Sequence, residues 1–368
     1  MNPQNGFPTE LLQQPVAQRL AYFETYTMAH PRLVEAAQKL MYLIRQPAGS
    51  ALIFIFGPTG VGKSTLLRRV SQKLIEASLP SVETDKDYIP VAGIEVAAPE
   101  FSNFDWKDFY VRALMALQEP LIEKKISHTT TKLKLRLSLE KALQYRRPDV
   151  FYLDEAQNLG RVVSGRKLRD QTDCIKSLAS MSGVRFLLCG TYELLILRNL
   201  SAQLCRRSTD IHFSRYFAES DLDVKIFQSV VQSFQLHLPL AQTPDLVSYW
   251  DFCYERSIGC VGILKDWLSR TLNGVLSADA NASTLSIKNL EQHAWSLEQC
   301  MIMLAESREE EKKLTDNGVV PAEFRAVLGL KPDLVGHENT TASETTNAPN
   351  KRSRVGKPLP KRRPVGGI

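Results

Sequence analysis

The stretch Ala51-Leu-Ile-Phe-Ile-Phe-Gly57-Pro-Thr-Gly-Val-Gly-Lys63-Ser64 decides the fold class of this chain. Its apolar first part has the length and composition of a buried strand, and residues 57–64 match the pattern G-x-x-x-x-G-K-[ST] at every fixed position. The apolar spacing that follows predicts a helix over 63–78. Backbone N–H groups of such a loop converge at the positive end of the helix, which favours binding of phosphate. The sequence therefore predicts a phosphate-binding loop between a strand and a helix.

The side chains of this loop indicate which nucleotide and which ion it would bind. Lys63 would reach the β- and γ-phosphates of ATP, and the Ser64 hydroxyl would ligate Mg²⁺. A chance glycine-rich turn is the alternative, but strand, loop and helix follow one another in the required register. The expected nucleotide-binding residues of the loop are Gly57, Pro58, Thr59, Gly60, Val61, Gly62, Lys63, Ser64 and Thr65.

A second apolar segment ends in two acidic residues, in the stretch Asp149-Val-Phe-Tyr-Leu-Asp154-Glu155-Ala-Gln157. At the end of a predicted strand, Asp154 would bind the nucleotide's Mg²⁺ through water and share the metal site with Ser64. Glu155 would polarise the attacking water at the γ-phosphate. The alternative is a capped strand end before a helix. Because a protein that only binds nucleotide needs the first carboxylate alone, the Asp-Glu pair favours hydrolysis.

Two further positions are candidates for catalysis. Thr191 follows the predicted strand 184–189 and would orient the hydrolytic water, although threonine is common at strand ends. Arg206 and Arg207 precede the predicted strand 210–213, where an arginine finger can neutralise the γ-phosphate charge in a neighbouring subunit. A solvated or DNA-facing basic pair is the alternative, and the sequence does not choose between the two arginines.

Strands and helices alternate through the first part of the chain, which is typical of an α/β fold with a parallel sheet. The predicted strands are 51–56, 89–96, 150–153, 184–189 and 210–213, with helices at 63–78, 105–124, 132–146, 170–181 and 193–200. After Phe217 only helices are predicted, at 219–236, 243–256, 260–273 and 286–313. The last helix carries an apolar stripe, expected to pack on the helical domain or else on a partner helix, made of Leu290, Ala294, Leu297, Met301 and Leu304.

The net charge of +6 is concentrated at one end of the chain. Residues 351–368 contain seven basic residues and no acidic one, which leaves a net charge of −1 for the first 350 residues. A tail of this composition is expected to be disordered on its own. The expected organisation is an arm with two helices broken at His30-Pro31 (1–48), the α/β core (49–218), an all-helical lid (219–315) and the flexible basic tail (316–368).

Composition argues against several classes of protein. Of the 368 residues, 43% are hydrophobic and 23% are charged, the balance of a soluble globular protein. We find no apolar run long enough to cross a bilayer and no pattern of a secretory signal at the N-terminus. The six cysteines include no C-x-x-C pair and no nearby histidine, so structural zinc is not expected. The sequence therefore predicts a cytoplasmic protein with reduced cysteines and no membrane partner.

Four segments also carry a family resemblance: Asp154-Glu-Ala-Gln-Asn-Leu159, Leu188-Cys-Gly-Thr-Tyr-Glu-Leu194, Gln203-Leu-Cys-Arg-Arg207 and Gly259-Cys-Val-Gly-Ile-Leu-Lys265. With the phosphate loop, they resemble an AAA+ ATPase, and more closely the TniB/TnsC family of transposition regulators. The resemblance runs from about residue 15 to about residue 275. It implies an AAA+ P-loop NTPase core with a parallel sheet, followed by an all-helical lid.

The resemblance also implies a function and partners. The chain would use ATP and Mg²⁺, and it would assemble as a homo-oligomeric ring or helical filament on double-stranded DNA without sequence preference. It would link a transposase to a TniQ-like target-selection protein or a CRISPR effector. Many AAA+ lids contact the γ-phosphate through an arginine, whereas the corresponding helix here offers Lys265 after Gly262. Lys265 is therefore the expected lid contact, and it departs from the family pattern.

By the same resemblance, loops between the two nucleotide motifs would line a DNA channel. The segment 160–169 is the strongest candidate because it is basic and follows the acidic strand end. Contacts from such residues would go to phosphates, so binding would be largely independent of sequence. The candidate DNA contacts are Lys107, Lys124, Lys125, Lys132, Lys134, Arg136, Arg161, Arg166, Lys167 and Arg169.

Two alternative functions fit an AAA+ ATPase. A secretion-associated ATPase usually adds a membrane span, and the sequence shows none. A replication initiator or helicase loader normally adds a winged-helix or similar DNA reader, which the C-terminal third does not predict. A nuclease or transposase is disfavoured because no triad of acidic residues stands outside the ATP site in suitable strands.

Overall fold

A parallel sheet lies at the centre of the computed structural model, which describes residues 6–46, 50–100, 104–120, 122, 130–161, 165–200, 202–315 and 327–329. Within these residues the strands are β1 (Leu52–Phe56), β2 (Val91–Glu95), β3 (Val150–Asp154), β4 (Arg185–Gly190) and β5 (Ser208–His212). Their order is β2-β3-β4-β1-β5, and all neighbouring pairs are parallel. The carboxyl ends of β1, β3 and β4 therefore meet at one edge of the sheet.

Helices cover both faces of the sheet. Side chains of β1 alternate between the two faces: Phe54 belongs to a cluster with Leu114 and Leu139, and Ile55 to a cluster with Leu66. Because these apolar residues face helices on both sides, β1 is buried along its whole length. The helices up to β5 are α1 (Val16–Thr25), α2 (Pro31–Arg45), α3 (Lys63–Thr84), α4 (Trp106–Ala116), α5 (Lys132–Arg146), α6 (Gly165–Ser182), α7 (Leu194–Arg198) and α8 (Ala202–Arg207).

A helical lid follows the sheet, and α1 packs with it. Phe23 of α1 is fully buried in the cluster that contains Phe234 and Trp267. The buried Arg19 donates hydrogen bonds to the carbonyl of Pro239, so its guanidinium is satisfied inside the lid. The lid helices are α9 (Asp221–His237), α10 (Trp250–Ser257), α11 (Val261–Ala278), α12 (Ile287–His293) and α13 (Leu297–Thr315). Core and lid form one compact unit that ends at Thr315.

The α/β core and the helical region after it are confirmed. All five predicted strands are present, with ends shifted by at most two residues. The two N-terminal helices are separated at His30, as predicted from Pro31, which occupies the first turn of α2. The predicted helix 193–200 is present as the shorter α7, and a separate helix, α8, follows it. Instead of a helix over 243–256, a 3₁₀ turn at Val247–Tyr249 leads into the shorter α10.

The predicted helix over 286–313 is also wrong. It is two helices, α12 and α13, separated by extended backbone at Ala294. Ser296 and Gln299 exchange hydrogen bonds between side chain and backbone, at 3.0 and 3.1 Å, and these bonds begin a new helix. The continuous apolar stripe is therefore lost. Leu290 is fully buried, but Leu297 is 56% exposed and Met301 63% exposed.

Two other predicted segments include residues that lie outside the described structure. The basic tail lies outside it apart from 327–329. The predicted helix 105–124 is too long, because α4 ends at Ala116 and Gln118 has a φ angle of +51°, while residues 121, 123 and 124 lie outside the described structure. Among the residues that are described, no helix combines the length and the hydropathy needed to cross a membrane.

Candidate nucleotide-binding site

The glycine-rich loop has the backbone that its sequence requires. Gly60 and Gly62 have φ angles of +72° and +109°, which residues with a side chain rarely adopt. A Cβ on Gly57 would lie 2.0 Å from the carbonyl oxygen of Phe213, so only glycine fits there. Val61 is buried beneath the loop, whereas Thr59 is exposed at its tip. The loop therefore presents backbone, rather than side chains, in front of the first turn of α3.

Lys63 begins α3 and is 8% exposed. Its Nζ donates to the carbonyl oxygens of Gly57 at 3.0 Å and of Pro58 at 2.8 Å. Burial lowers the pKa of Lys63, because the charged ammonium is removed from water. An anion beside this ammonium would offset that cost, and the third N–H of the ammonium is the donor that a phosphate oxygen would use.

Ser64 and Asp154 meet as the sequence predicts. The Ser64 Oγ donates a 2.8 Å hydrogen bond to Asp154 Oδ2, which joins the start of α3 to the end of β3. A hydroxyl and a carboxylate are ligands that suit Mg²⁺, which usually keeps several waters as well. Ser64 is exposed, so a nucleotide-bound ion has access to it. These two residues therefore fit the expected metal site.

Glu155 and Thr191 are joined by a residue to which the sequence analysis gave no role. The Gln157 Nε2 donates to Glu155 Oε2 at 2.5 Å, and its Oε1 accepts from the Thr191 backbone N–H at 3.2 Å. Gln157 is 3% exposed and lies in a 3₁₀ turn, Ala156–Gly160. The Thr191 Oγ1 is buried and has no hydrogen-bond partner in the described structure. This hydroxyl is satisfied if a phosphate or a water binds beside it.

The lid contacts the loop directly. The Ile263 backbone N–H donates to the Gly60 carbonyl at 3.3 Å. Beside this contact lies a cavity of about 50 Å³, lined by Thr65 and by residues of the lid and of the linker between α1 and α2. Lys265 lines the same cavity, and its Nζ donates to the Glu24 carbonyl of α1 at 2.7 Å. The predicted lid contact therefore lies beside the loop, bonded to α1, which packs with the lid.

His30 in the linker also lines this cavity and is 3% exposed. Its Nδ1 lies 2.9 Å from the Tyr216 hydroxyl. Burial and the nearby Arg32 charge lower the pKa of His30 to about 4. The imidazole is therefore neutral at physiological pH and leaves this side of the cavity uncharged.

Arg206 and Arg207 lie far from the phosphate loop of their own chain. They end α8 and precede β5, whose first residue pairs with Leu52 at the start of β1, whereas the loop follows the end of β1. The five residues of β1 separate the two positions by about 16 Å. Both arginines are exposed, and Arg207 Nη1 lies 3.4 Å from the Ser180 hydroxyl. The structure does not bring them into their own nucleotide site.

The candidate DNA contacts differ in their surroundings. Arg136 forms an ion pair with Glu140 at 3.0 Å, and Arg161 forms one with Glu193 at 3.1 Å. Lys107 is half-buried and engaged in an interaction. Lys132, Lys134 and Arg169 are exposed. The candidates Lys124, Lys125, Arg166 and Lys167 have side chains outside the described structure.

Comparison with known proteins agrees with this fold. Residues 46–197 match the family model of the AAA domain. The chain therefore has the fold of an α/β P-loop NTPase core of the AAA+ type, followed by a helical region. No curated protein matches the sequence.

Two solved structures from Aeropyrum pernix have a similar fold. The ORC2 protein, described as ADPNP–ADP complexes, is 15% identical, with 76% of this chain and 72% of that chain covered and a TM-score of 0.51. The ORC1 protein in complex with DNA is 15% identical, with 75% and 67% covered and a TM-score of 0.52. The structural similarity shows a shared fold, and at 15% identity it does not extend to function.

Proposed function

We propose that this chain is an ATP-dependent regulator of DNA transposition. It binds and hydrolyses ATP with Mg²⁺, forms a ring or helical filament on double-stranded DNA, and links a transposase to a target-selection protein of the TniQ kind or a CRISPR effector. The observation that supports it best is the convergence of Lys63, Ser64, Asp154, Glu155 and Thr191 at one edge of the sheet.

Each of these residues has a role in hydrolysis. Lys63 and the loop amides bind the phosphates, and Ser64 and Asp154 hold Mg²⁺, which neutralises charge on the phosphate oxygens when bound. Glu155 accepts the proton of the attacking water, and Thr191 orients that water or the γ-phosphate through a hydroxyl that has no partner among the described residues. The site thus has a base as well as phosphate ligands, which a protein that only binds nucleotide does not need.

The finger is proposed to act between subunits. An arginine at position 206 or 207 is about 16 Å from its own loop along the sheet, so its charge is available to a neighbouring site. A site completed in this way is active only in the oligomer, because the γ-phosphate charge is neutralised by the next subunit. This requirement would couple ATP turnover to assembly on DNA.

Double-stranded DNA is the proposed scaffold of that assembly. The exposed Lys132, Lys134 and Arg169 offer contacts for phosphates, and a chain of the same fold, ORC1, has been solved in complex with DNA. Contacts of this kind are independent of sequence and weaken as salt rises. A cytoplasmic location and the partners named above belong to the same proposal.

A replication initiator or helicase loader is the second candidate, and the similarity of fold to the ORC proteins favours it. A secretion ATPase has no comparable support. The two DNA-based candidates differ in partner and in DNA preference. A transposition regulator binds DNA of any sequence and retains a transposase, whereas an initiator prefers its origin sequence and retains replication proteins.

ATP turnover with and without DNA tests the proposal. We expect double-stranded DNA of random sequence to stimulate phosphate release by the wild-type chain, and we expect no release from Lys63→Ala. A pull-down with a candidate transposase tests the partner. Turnover that responds only to one particular DNA sequence, with no transposase retained, would favour the initiator.

A further inference from the structure

The side chain of Gln157 connects the two residues that would meet the attacking water. Its amide nitrogen donates to Glu155 and its amide oxygen accepts from the Thr191 backbone, at 2.5 and 3.2 Å. Only one orientation of the amide satisfies both neighbours, because a carboxylate accepts and a backbone N–H donates. Gln157 is 3% exposed, so water does not compete readily for these bonds.

The surrounding backbone holds this amide in place. Glu155 has a φ angle of +50°, an uncommon conformation that begins the 3₁₀ turn containing Gln157. The next residue, Asn158, fastens the turn to the carbonyl of Val96 through a 2.8 Å hydrogen bond. Strand β4 ends in Gly190, where a Cβ would lie 2.1 Å from Gln157 Oε1. Glycine at 190 therefore leaves the space that the amide oxygen occupies.

From this geometry we infer that Gln157 is a positioning residue that fixes the carboxylate of Glu155 relative to Thr191. Glu155 and Thr191 directly follow two different strands, β3 and β4, and Gln157 bonds to both. The phosphate or water contacted by Thr191 and the water activated by Glu155 then keep a fixed position relative to each other. Misplacing a catalytic group by about 1 Å can cost about a hundredfold in rate. This inference rests on the proposed hydrolysis of ATP.

Substitutions at 157 separate the two bonds. Gln157→Ala removes both, and Gln157→Glu keeps the shape and the acceptor for Thr191 but places a second carboxylate against Glu155. We expect either change to lower kcat by about tenfold or more, with ATP affinity changed by less than about threefold. Gln144→Ala is the matched control, because Gln144 is exposed and its side chain donates to the Met181 carbonyl, away from the site. It should leave kcat unchanged.

A double-mutant cycle distinguishes positioning from a general structural effect. If Gln157 acts through Glu155, adding Gln157→Ala to Glu155→Gln should change the residual rate by less than about twofold. Gly190→Ala perturbs the same amide from the strand and should also lower kcat. In the Gln157→Ala background, Gly190→Ala should cost less than it does alone, since the clash with the amide oxygen is gone and only the contact with the Leu194 side chain at 3.1 Å is left. Additive losses in both cycles, or an unchanged kcat in Gln157→Ala and Gln157→Glu, would overturn the inference.

The side-chain amide itself provides a readout that does not require turnover. In the full chain labelled with ¹⁵N-glutamine, one side-chain NH₂ signal should be missing in Gln157→Ala, and this signal should shift in Glu155→Ala. A signal that Glu155→Ala leaves unmoved would overturn the inference, and a shifted signal would support it even in a chain without turnover. Absence of turnover in the wild type, with and without DNA, would instead reject the proposed hydrolysis.

Discussion

Gly262 of the lid lies directly against Gly60 of the phosphate loop: a Cβ built on Gly262 would be 2.4 Å from the Gly60 carbonyl oxygen. The next residue, Ile263, donates its backbone N–H to the same carbonyl at 3.3 Å. Because the contact is backbone to backbone, neither side can yield by rotating a side chain. The lid is therefore seated on the nucleotide loop itself, at the first turn of α11.

Gly262→Ala should separate the lid from the loop. The added methyl group cannot fit without a shift of α11, so we expect ATP to bind about tenfold more weakly, equivalent to about 1.4 kcal/mol. Titration of the chain with a fluorescent ATP analogue measures this affinity. Ser277→Ala, at an exposed position of the same helix, is the control and should bind as the wild type does. Equal affinity in all three proteins would contradict the proposed importance of the contact.

Binding and hydrolysis should separate between Lys63 and Glu155. Lys63→Ala should abolish ATP binding, because the phosphates lose the buried ammonium that the loop holds in place. Glu155→Gln should bind ATP normally and lower kcat by about a hundredfold or more, since an amide cannot accept the proton of water. Affinity and single-turnover hydrolysis, measured on both variants, test this. Normal turnover in Glu155→Gln would remove Glu155 from its proposed role.

Oligomers mixed from two inactive variants test whether the arginine finger acts between subunits. Arg206→Ala/Arg207→Ala should lower kcat by about a thousandfold or more, the scale of arginine-finger effects. In an equal mixture with Lys63→Ala, about a quarter of the interfaces would combine an intact loop with an intact finger. Turnover should therefore reappear on mixing, although each variant is inactive alone. If the variants co-assemble and no ratio restores turnover, neither arginine acts across the interface.

Stability should fall in acid because of His30. The folded-state pKa of about 4 lies below the ordinary value of 6.5, so the unfolded chain binds the extra proton between these pH values. The contribution of His30 to the free energy of unfolding is fully present above pH 6.5 and is lost as the pH falls toward 4. The loss is about 3 kcal/mol at about 1.4 kcal/mol for each unit of pKa.

Denaturant unfolding of the wild type and of His30→Gln between pH 7 and pH 4 measures this contribution. The glutamine keeps a polar group near the Tyr216 hydroxyl and does not titrate. The difference in unfolding free energy between the two proteins should shrink as the pH falls. A difference that stays constant with pH would show that His30 does not carry this pH dependence.

Local patterns were sufficient to predict the core. The apolar β1, the loop glycines and the acidic end of β3 each show their role in a few adjacent residues, because chain neighbours become spatial neighbours there. Parallel pairing then brings Asp154 to Ser64 without further information. The five strands and the helical region after them follow from the same patterns.

The features that the sequence did not predict depend on interactions between residues far apart in the chain. Gln157 stands in a quoted motif, but its bond to Thr191 depends on β3 and β4 lying side by side. Phe23 packs with the lid through residues about two hundred positions further along the chain. The signal for the break at Ala294 is local, because Ser296 and Gln299 cap the next helix. The apolar spacing across the break nevertheless predicted one continuous helix. Periodicity alone therefore overestimated the last helix.

Sedimentation of the Glu155→Gln chain with a random double-stranded DNA of defined length measures its assembly on DNA. With Mg²⁺ and ATP, we expect complexes that grow with DNA length and dissociate as salt rises, and we expect none when ATP is omitted or when Lys63 is replaced by alanine. Complexes that form equally well without nucleotide, or a chain that stays monomeric on DNA with ATP bound, would contradict the proposed assembly.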